Sequence, residues 1–220
     1  MEQVLISNLI DIFAVSMLLT SLLAMTSTRM RPLIRLFVIQ AIFLTAFEIT
    51  VAYSQNDPKI YVMAALTILI KVIIIPKLLI YIIDRINVRD DVSLKIGIPG
   101  SLLLSAALIL LSYYISEPLV SILDTAERNS LVLSFSMILI GLLMMSTRHK
   151  AISEVIGLLM AENGLFMGAI ALSNGMPFIV EVGAFIDVLM AVIIIGVFAF
   201  RVNKTFDKLE PTPIGGLEKE

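Results

Sequence analysis

The sequence predicts an all-helical membrane protein with seven transmembrane helices. Hydrophobic residues make up 59% of the 220 residues and charged residues only 15%, whereas soluble domains contain about 45–50% and about 25%. Apolar stretches of about 20 residues recur along nearly the whole chain, and each could cross a ~30 Å hydrocarbon core as a helix. Because the apolar runs are continuous and do not alternate with a period of two, a β-barrel is excluded.

Short polar segments rich in Arg, Asp, Asn, Pro or Gly separate the seven predicted spans. No basic region precedes the first apolar run and no cleavage site follows it, so we interpret this run as a retained span. The fourth span is expected to link two three-helix units, residues 1–83 and 130–203, of a transmembrane domain that covers residues 1–203. Residues 204–220 form a polar tail. The spans cover residues 4–26, 33–54, 60–83, 96–116, 130–147, 151–173 and 178–201.

The distribution of basic residues predicts the orientation. If successive segments lie on alternating sides, one side carries twelve Lys and Arg residues and the other carries two, Lys59 and Arg128. The positive-inside rule then places the amino terminus outside and the tail in the cytoplasm, in a multi-pass protein of the cytoplasmic membrane. We interpret the basic residues as topology signals that contact lipid head groups. The twelve are Arg29, Arg31, Arg35, Arg85, Arg89, Lys95, Arg148, Lys150, Arg201, Lys204, Lys208 and Lys219.

The two three-helix units resemble each other weakly in sequence. A shift of 119 residues pairs Phe47 with Phe166 and Pro58 with Pro177. Since one additional helix separates the two units, both would cross the membrane in the same direction. This is a parallel 3+1+3 repeat, of a kind that membrane transport proteins use.

Several ionisable residues lie inside the apolar spans. Such a residue costs about 2.5–3.5 kcal/mol on insertion scales and normally faces protein or water, so it is a functional-site hypothesis. Lys71 in the third span precedes Pro76, which removes a backbone donor and is typical of helices that bend or break around a polar path. Asp11, Glu48, Glu162 and Asp187 lie well inside spans, and Glu154 and Glu181 lie closer to the ends.

The sixth predicted span carries small residues on one stripe and an acid on another face. Gly157, Ala161, Gly164 and Gly168 align along the helix, a pattern that lets a neighbouring helix approach closely. Glu162 points about 130° away from this stripe, at ~100° per residue. We therefore expect a helix against the stripe, and protein or water beside the carboxyl.

The acids and the lysine together predict a path for protons. Burial favours a protonated carboxyl and a nearby ammonium favours the carboxylate, so displacing the cation switches proton occupancy. We interpret Glu162 and Asp187 as protonatable steps of a half-channel, with Lys71 and Glu48 as modulating or parallel sites. The alternative is that each is a static interhelical hydrogen-bonding group, and that Glu154 and Glu181 only mark the membrane interfaces.

Three stretches resemble a known family. The segments GLLMAENGLFMGAIAL and PFIVEVGAFIDVLMAVIIIGVF resemble the last two helices of hydrogenase-4 component E, and LIKVIIIPKLL is similar to its third helix. More remotely, the last three helices resemble the K subunit of complex I and the C subunit of Mrp antiporters. Asp187 falls on the second intramembrane carboxylate of the K subunit. At the position of the first intramembrane carboxylate of the K subunit this sequence has Leu159, and Glu162 follows one turn later.

The resemblance implies a non-catalytic membrane-arm subunit of a group 4 nickel–iron hydrogenase-like respiratory complex, of the formate hydrogenlyase or hydrogenase-4 type. It would contribute to redox-coupled proton or sodium translocation. The implied partners are antiporter-like membrane subunits, a subunit similar to the H subunit of complex I, and a peripheral hydrogenase or related redox module. No nucleic-acid partner is expected. Two alternatives remain, a passive assembly scaffold and a small-solute secondary transporter.

The residues themselves favour chemistry located in other subunits. The chain has no Cys to hold an iron–sulfur cluster, and its single histidine, His149, is too little for haem or zinc. It also lacks the H-E-x-x-H and G-x-S-x-G motifs and a glycine-rich phosphate loop. We therefore expect neither a cofactor nor a metal in this subunit.

Overall fold

A computed structural model describes residues 2–86, 96–118 and 125–173. This part of the chain is all-helical and contains six helices long and apolar enough to cross a membrane. Their ends lie within a few residues of the first six predicted spans. The chain is thus a multi-pass membrane protein. The predicted seventh span, residues 178–201, lies outside the described residues, together with Glu181 and Asp187.

The third span is divided into three helical pieces, and the others are single α-helices. The π-helical segment Ile68–Ile74 lies between α3 and α4. Because α3 and α4 belong to the same span, α5, α6 and α7 are the fourth, fifth and sixth spans. The elements are α1 (Glu2–Thr26), α2 (Met30–Gln55), α3 (Pro58–Thr67), the π-helical segment (Ile68–Ile74), α4 (Ile75–Ile86), α5 (Ile98–Ser116), α6 (Thr125–Thr147) and α7 (Ala151–Ser173).

The sequence Asn-Asp-Pro makes the tight turn between α2 and α3. Asn56 ends α2 in the left-handed conformation, with φ 51°, and its N–H donates to the Ala52 carbonyl, as asparagine and glycine often do at helix ends. The Asp57 carboxylate accepts from the Lys59 N–H at 2.9 Å and caps α3. Pro58 begins α3, where its missing N–H costs nothing.

The π-helical segment widens the third span around Lys71. At its end the Ile75 N–H donates to the Ile70 carbonyl, five residues back. Pro76 follows directly and has no N–H to return the helix to a regular ladder. Such segments are rare and are frequently found at functional sites.

Four helices form the centre of the bundle, and the remaining elements pack on it. α1 packs against α2 and α6, and α7 packs against α6 and α2. The third span lies on α2, and α5 lies on α6 and α1. α7 is the most buried of the six spans and α5 the least. The side chains of α7 therefore face protein on most sides.

Small residues allow α6 and α7 to approach closely. A methyl group at Gly141 of α6 would lie 2.6 Å from both the Gly157 carbonyl oxygen and the Ala161 Cβ of α7. A methyl group at Gly164 would lie 2.9 Å from the Met137 Cβ, and one at Gly168 would meet the hydroxyl of Ser134 on α6. The small-residue stripe of α7 therefore faces α6.

The prediction that Arg148 contacts lipid head groups is wrong. Its side chain is fully buried, and its guanidinium donates to the Met25, Ser27 and Ala24 carbonyls at 2.8, 3.2 and 3.3 Å. These groups lie at the end of α1, where helix carbonyls lack intrahelical donors. Burial lowers the pKa of Arg148 from its ordinary value, but an arginine stays protonated in proteins. It therefore acts as a cationic cap.

Candidate functional site

Lys71 occupies the centre of a polar cluster inside the bundle. Its side chain is fully buried although it carries an ammonium group. The Nζ donates to the Asn163 Oδ1 of α7 at 3.0 Å and lies 4.0 Å from the centre of the Phe166 ring. An ammonium over an aromatic face gains a cation–π attraction that is stronger where water is excluded. The π-helical segment thus presents a cation to one face of α7.

Glu162 provides the counter-charge from α7. Its carboxylate Oε2 lies 3.8 Å from the Lys71 Nζ, and the two side chains are 3% and 0% exposed. This separation makes an ion pair but exceeds the length of a hydrogen bond. The bundle therefore holds two opposite charges close together without a direct hydrogen bond between these two atoms.

Two amide side chains extend the cluster away from Lys71. The Asn163 Nδ2 donates to the Gln40 Oε1 of α2 at 3.1 Å. The Gln40 Nε2 in turn donates to the Ser21 Oγ of α1 at 2.7 Å. Gln40 and Asn163 are fully buried and Ser21 is 2% exposed. One hydrogen-bonded chain thus connects four membrane spans.

A second buried acid contacts the third span from α2. Glu48 of α2 is fully buried, and its Oε1 accepts from the Thr67 hydroxyl at 3.1 Å. Thr67 directly precedes the π-helical segment and lies four residues before Lys71. The third span therefore carries contacts to one acid on α2 and another on α7, close together along its length.

Glu154 and Asp11 lie apart from this cluster. Glu154 is half-buried in the first turn of α7, about 12 Å along the axis from Glu162 at ~1.5 Å per residue. Asp11 contacts the Asn129 side chain of α6. Asp187 and Glu181 lie outside the described residues. Of the six predicted proton-pathway residues, the structure brings Lys71 and Glu162 into direct contact.

Sequence reasoning missed the uncharged members of the cluster. Lys71 and Glu162 were recognised because they are ionisable residues inside apolar spans. Gln40, Asn163 and Thr67 were not, because their side chains are uncharged. Amide and hydroxyl side chains in an otherwise apolar helix are also costly to bury unless they are hydrogen-bonded. Gln40 and Asn163 carry this signal in spans that are otherwise almost wholly apolar.

The arrangement can exchange charge within the bundle. The carboxyl of Glu162 can bind and release a proton, and the Lys71 ammonium favours the carboxylate more strongly the closer it lies. Among residues 2–86, 96–118 and 125–173, no group of three or more His, Cys, Asp or Glu side chains could hold a metal ion. The chemistry of the described cluster is therefore that of a carboxylate, an ammonium and amides.

Comparison with known proteins finds full-length relatives. The chain is 31% identical over 201 residues to the uncharacterized protein Rv0085 of Mycobacterium tuberculosis, covering 91% of each. It is 22% identical over 212 residues to hydrogenase-4 component E of Escherichia coli K12, covering 96% of this chain and 98% of that protein. Neither a protein-family model nor a solved structure matches the chain. The chain therefore belongs to the family of the mycobacterial protein, and its distant full-length similarity supports a family like that of hydrogenase-4 component E.

Proposed function

We propose that this chain is a non-catalytic membrane-arm subunit of a hydrogenase-type respiratory complex, and that it contributes protonatable side chains to redox-coupled H⁺ or Na⁺ translocation. The full-length similarity to hydrogenase-4 component E and the six apolar helices support the membrane subunit. The observation that carries translocation is the buried pair of Lys71 and Glu162, 3.8 Å apart.

The pair is hard to explain by stability alone. Taking two charges out of water costs several kcal/mol per ion, and well-packed apolar residues are often as stable or more stable in their place. Intramembrane ionisable residues accordingly mark ion and proton pathways. The burial of Lys71 and Glu162 therefore favours a role in which their charge is used.

A small displacement of the ammonium would be enough to bias the carboxyl. If the separation of 3.8 Å contracted to about 2.8 Å, the Coulomb energy would change by roughly 1.5 kcal/mol at an effective dielectric constant of ~20. This corresponds to about a tenfold change in the equilibrium between the charged and the neutral pair. Lys71 thus acts as the switch and Glu162 as the proton carrier.

A single carboxyl cannot carry a proton across ~30 Å of hydrocarbon. The proposal therefore assigns Asp187 as the next protonatable step and Glu48 as a parallel site, with Glu154 and Glu181 near the ends of the path. Protons would pass sideways into antiporter-like subunits and a subunit similar to the H subunit of complex I. A peripheral nickel–iron hydrogenase or related module would perform the redox chemistry.

The proposal includes the predicted seven-span topology, with the amino terminus outside. Arg31 of α2 forms an ion pair with Asp84 of α4 at 2.9 Å, and Arg148 reaches the end of α1. Arg31, Asp84 and Arg148 therefore lie at one end of the bundle, which supports a common location of Arg31 and Arg148 in the cytoplasm. In the proposed parallel repeat, α1 corresponds to α6 and α2 corresponds to α7. In the structure α1 contacts α6 and α2 contacts α7, so each helix packs against its counterpart.

The test is replacement of the pair in the assembled complex. Glu162→Gln keeps the shape of the side chain but removes the proton-binding group, and Lys71→Met removes the switch. We expect both variants to assemble and to lose at least about tenfold in ion uptake per turnover, as loss of a positioned proton-transfer group does. The measurement is ion uptake by inverted vesicles driven by the complex's own redox reaction.

Glu117→Gln is the matched control, since Glu117 is an exposed residue directly after α5. It should leave coupled uptake unchanged. If Glu162→Gln and Lys71→Met both retain full coupled uptake, the buried pair does not conduct and the proposed translocation function is wrong.

A further inference from the structure

Four side chains, those of Lys71, Asn163, Gln40 and Ser21, form a row of hydrogen bonds in which each one donates to the next. Lys71 donates to Asn163, Asn163 to Gln40, and Gln40 to Ser21. The Ser21 hydroxyl then donates to the Met17 carbonyl of its own helix at 3.1 Å. The row therefore begins at a cation and ends at a backbone acceptor.

This row of hydrogen bonds is unsuited to carrying protons. An amide nitrogen donates but does not readily release its proton, and an amide oxygen only accepts. The row is instead suited to orienting one atom. Because the Gln40 Nε2 is directed to Ser21, its Oε1 faces Asn163 and accepts from the Asn163 NH₂ group. This fixes the Asn163 Oδ1 toward Lys71.

Asn163 and Glu162 thus offer the same ammonium two acceptors from adjacent positions of α7. The Nζ lies 3.0 Å from the amide oxygen and 3.8 Å from the carboxylate. The nearer acceptor is neutral and the farther one is charged. A displacement of about 1 Å would exchange them, since a charge-assisted hydrogen bond to a carboxylate forms at about 2.7–2.9 Å.

We propose that Ser21, Gln40 and Asn163 are positioning residues that hold the Lys71 ammonium off Glu162, so that the carboxyl can take up and release its proton. Without the amide oxygen, the ammonium would close onto the carboxylate as a hydrogen-bonded salt bridge and keep the pair charged. This inference rests on the proposed function and names the residues that set the switch.

The experiment compares Asn163→Leu with the wild type in the complete complex. Leucine keeps the approximate volume and removes the competing acceptor. We expect a loss of roughly ten- to hundredfold in redox-coupled ion uptake, the scale of effect that a 1 Å misplacement has on a positioned group. Gln40→Leu frees the Asn163 amide without touching the ion pair, and should reduce uptake in the same direction by a smaller factor.

Two readouts separate positioning from a merely structural role. In infrared difference spectra, the protonated carboxyl band that Glu162→Gln removes should also be absent from Asn163→Leu. In the Lys71→Met background, Asn163→Leu should have no further effect on uptake, because it acts through Lys71. Additive losses in that double variant would overturn the inference, as would a normal carboxyl band in Asn163→Leu.

The outcomes distinguish this inference from the proposed function. If Glu162→Gln abolishes coupled uptake while Asn163→Leu and Gln40→Leu keep the wild-type rate, only the positioning role is wrong. If Glu162→Gln itself retains full uptake in an assembled complex, the translocation function is wrong and the positioning role falls with it. The amount of subunit that co-purifies with the complex shows that each variant has folded.

Discussion

At the scale of residues, the two fully buried cations of the described part of the protein have different kinds of partner. The two terminal nitrogens of Arg148 donate to three backbone carbonyls at and just after the end of α1, and such partners cannot change their charge. Lys71 is held by an amide oxygen, an aromatic ring and a carboxylate, and the carboxylate can be neutralised by a proton. We therefore expect Arg148 to determine stability and Lys71 to determine coupling.

Replacement of Arg148 tests the first expectation. Arg148→Gln would leave carbonyls at the end of α1 without their charged donor, and hydrogen bonds to charged groups are worth about 1.5–3 kcal/mol. We expect the free energy of unfolding of the full chain in detergent to fall by about 2–4 kcal/mol. Thermal or denaturant unfolding followed by circular dichroism measures it.

Arg29 supplies the matched control, because both arginines follow the sequence Ser-Thr. Arg29 is exposed, so Arg29→Gln should change the free energy of unfolding by less than about 0.5 kcal/mol. Equal losses in the two variants would contradict a specific capping role for Arg148.

At the scale of elements, the sequence determined the helices more reliably than their contacts. Because the hydrocarbon core fixes the length of a span, hydropathy located six helices that the structure describes. Pro76 indicated a weakened third span but not the seven-residue π-helical segment before it, since that register depends on the packing of the neighbouring turns. The pairing of Lys71 with Glu162 depends on which helices are neighbours, and no local pattern encodes this.

The contact of α6 with α7 was likewise only half visible in the sequence. The stripe of small residues on α7 was recognised, but its partner Gly141 lies alone in the apolar sequence of α6 and has no periodic signal. In the structure Gly141 meets Gly157 and Ala161. A glycine becomes significant here only when the opposite helix is known.

Gly141→Ala tests how closely these helices must approach. The added methyl group would lie 2.6 Å from backbone and Cβ atoms of α7, which cannot move without separating the helices. Overpacking of this kind typically costs about 1–3 kcal/mol, and we expect this loss in the free energy of unfolding. Leu142→Ile changes the adjacent, exposed position and should be nearly neutral. If Gly141→Ala were equally neutral, the close contact of α6 and α7 would not be required.

At the scale of the whole molecule, the central helices and the third span differ in how regularly they are built, and this difference suggests which of them would move. Among the central helices, α6 and α7 pack closely through small side chains and Arg148 caps the end of α1, which favours a rigid frame. The third span, by contrast, has a π-helical segment and carries both Thr67, which contacts Glu48, and Lys71, which contacts Glu162. A displacement of this span relative to the frame would change both contacts together. Coupling to a neighbouring subunit would therefore act most directly through the third span.

The proposed topology of the whole molecule can be tested with single cysteines, because the native chain contains none. Lys59→Cys lies in the first turn of α3 and His149→Cys just before α7, and both positions are exposed. With the amino terminus outside, a membrane-impermeant maleimide should label Lys59→Cys in intact cells and His149→Cys only in inverted vesicles.

Thr212→Cys in the tail extends the same test to the seventh span. Seven crossings put the tail on the cytoplasmic side, where the positive-inside rule also places its lysines, so Thr212→Cys should be labelled in inverted vesicles together with His149→Cys. Labelling of Thr212→Cys in intact cells would mean that residues 178–201 do not cross the membrane. In that case Asp187 would not be held at the depth of Glu162, and the proton path would need another second acid. Labelling of His149→Cys in intact cells and of Lys59→Cys only in inverted vesicles would instead reverse the orientation and the side from which protons enter.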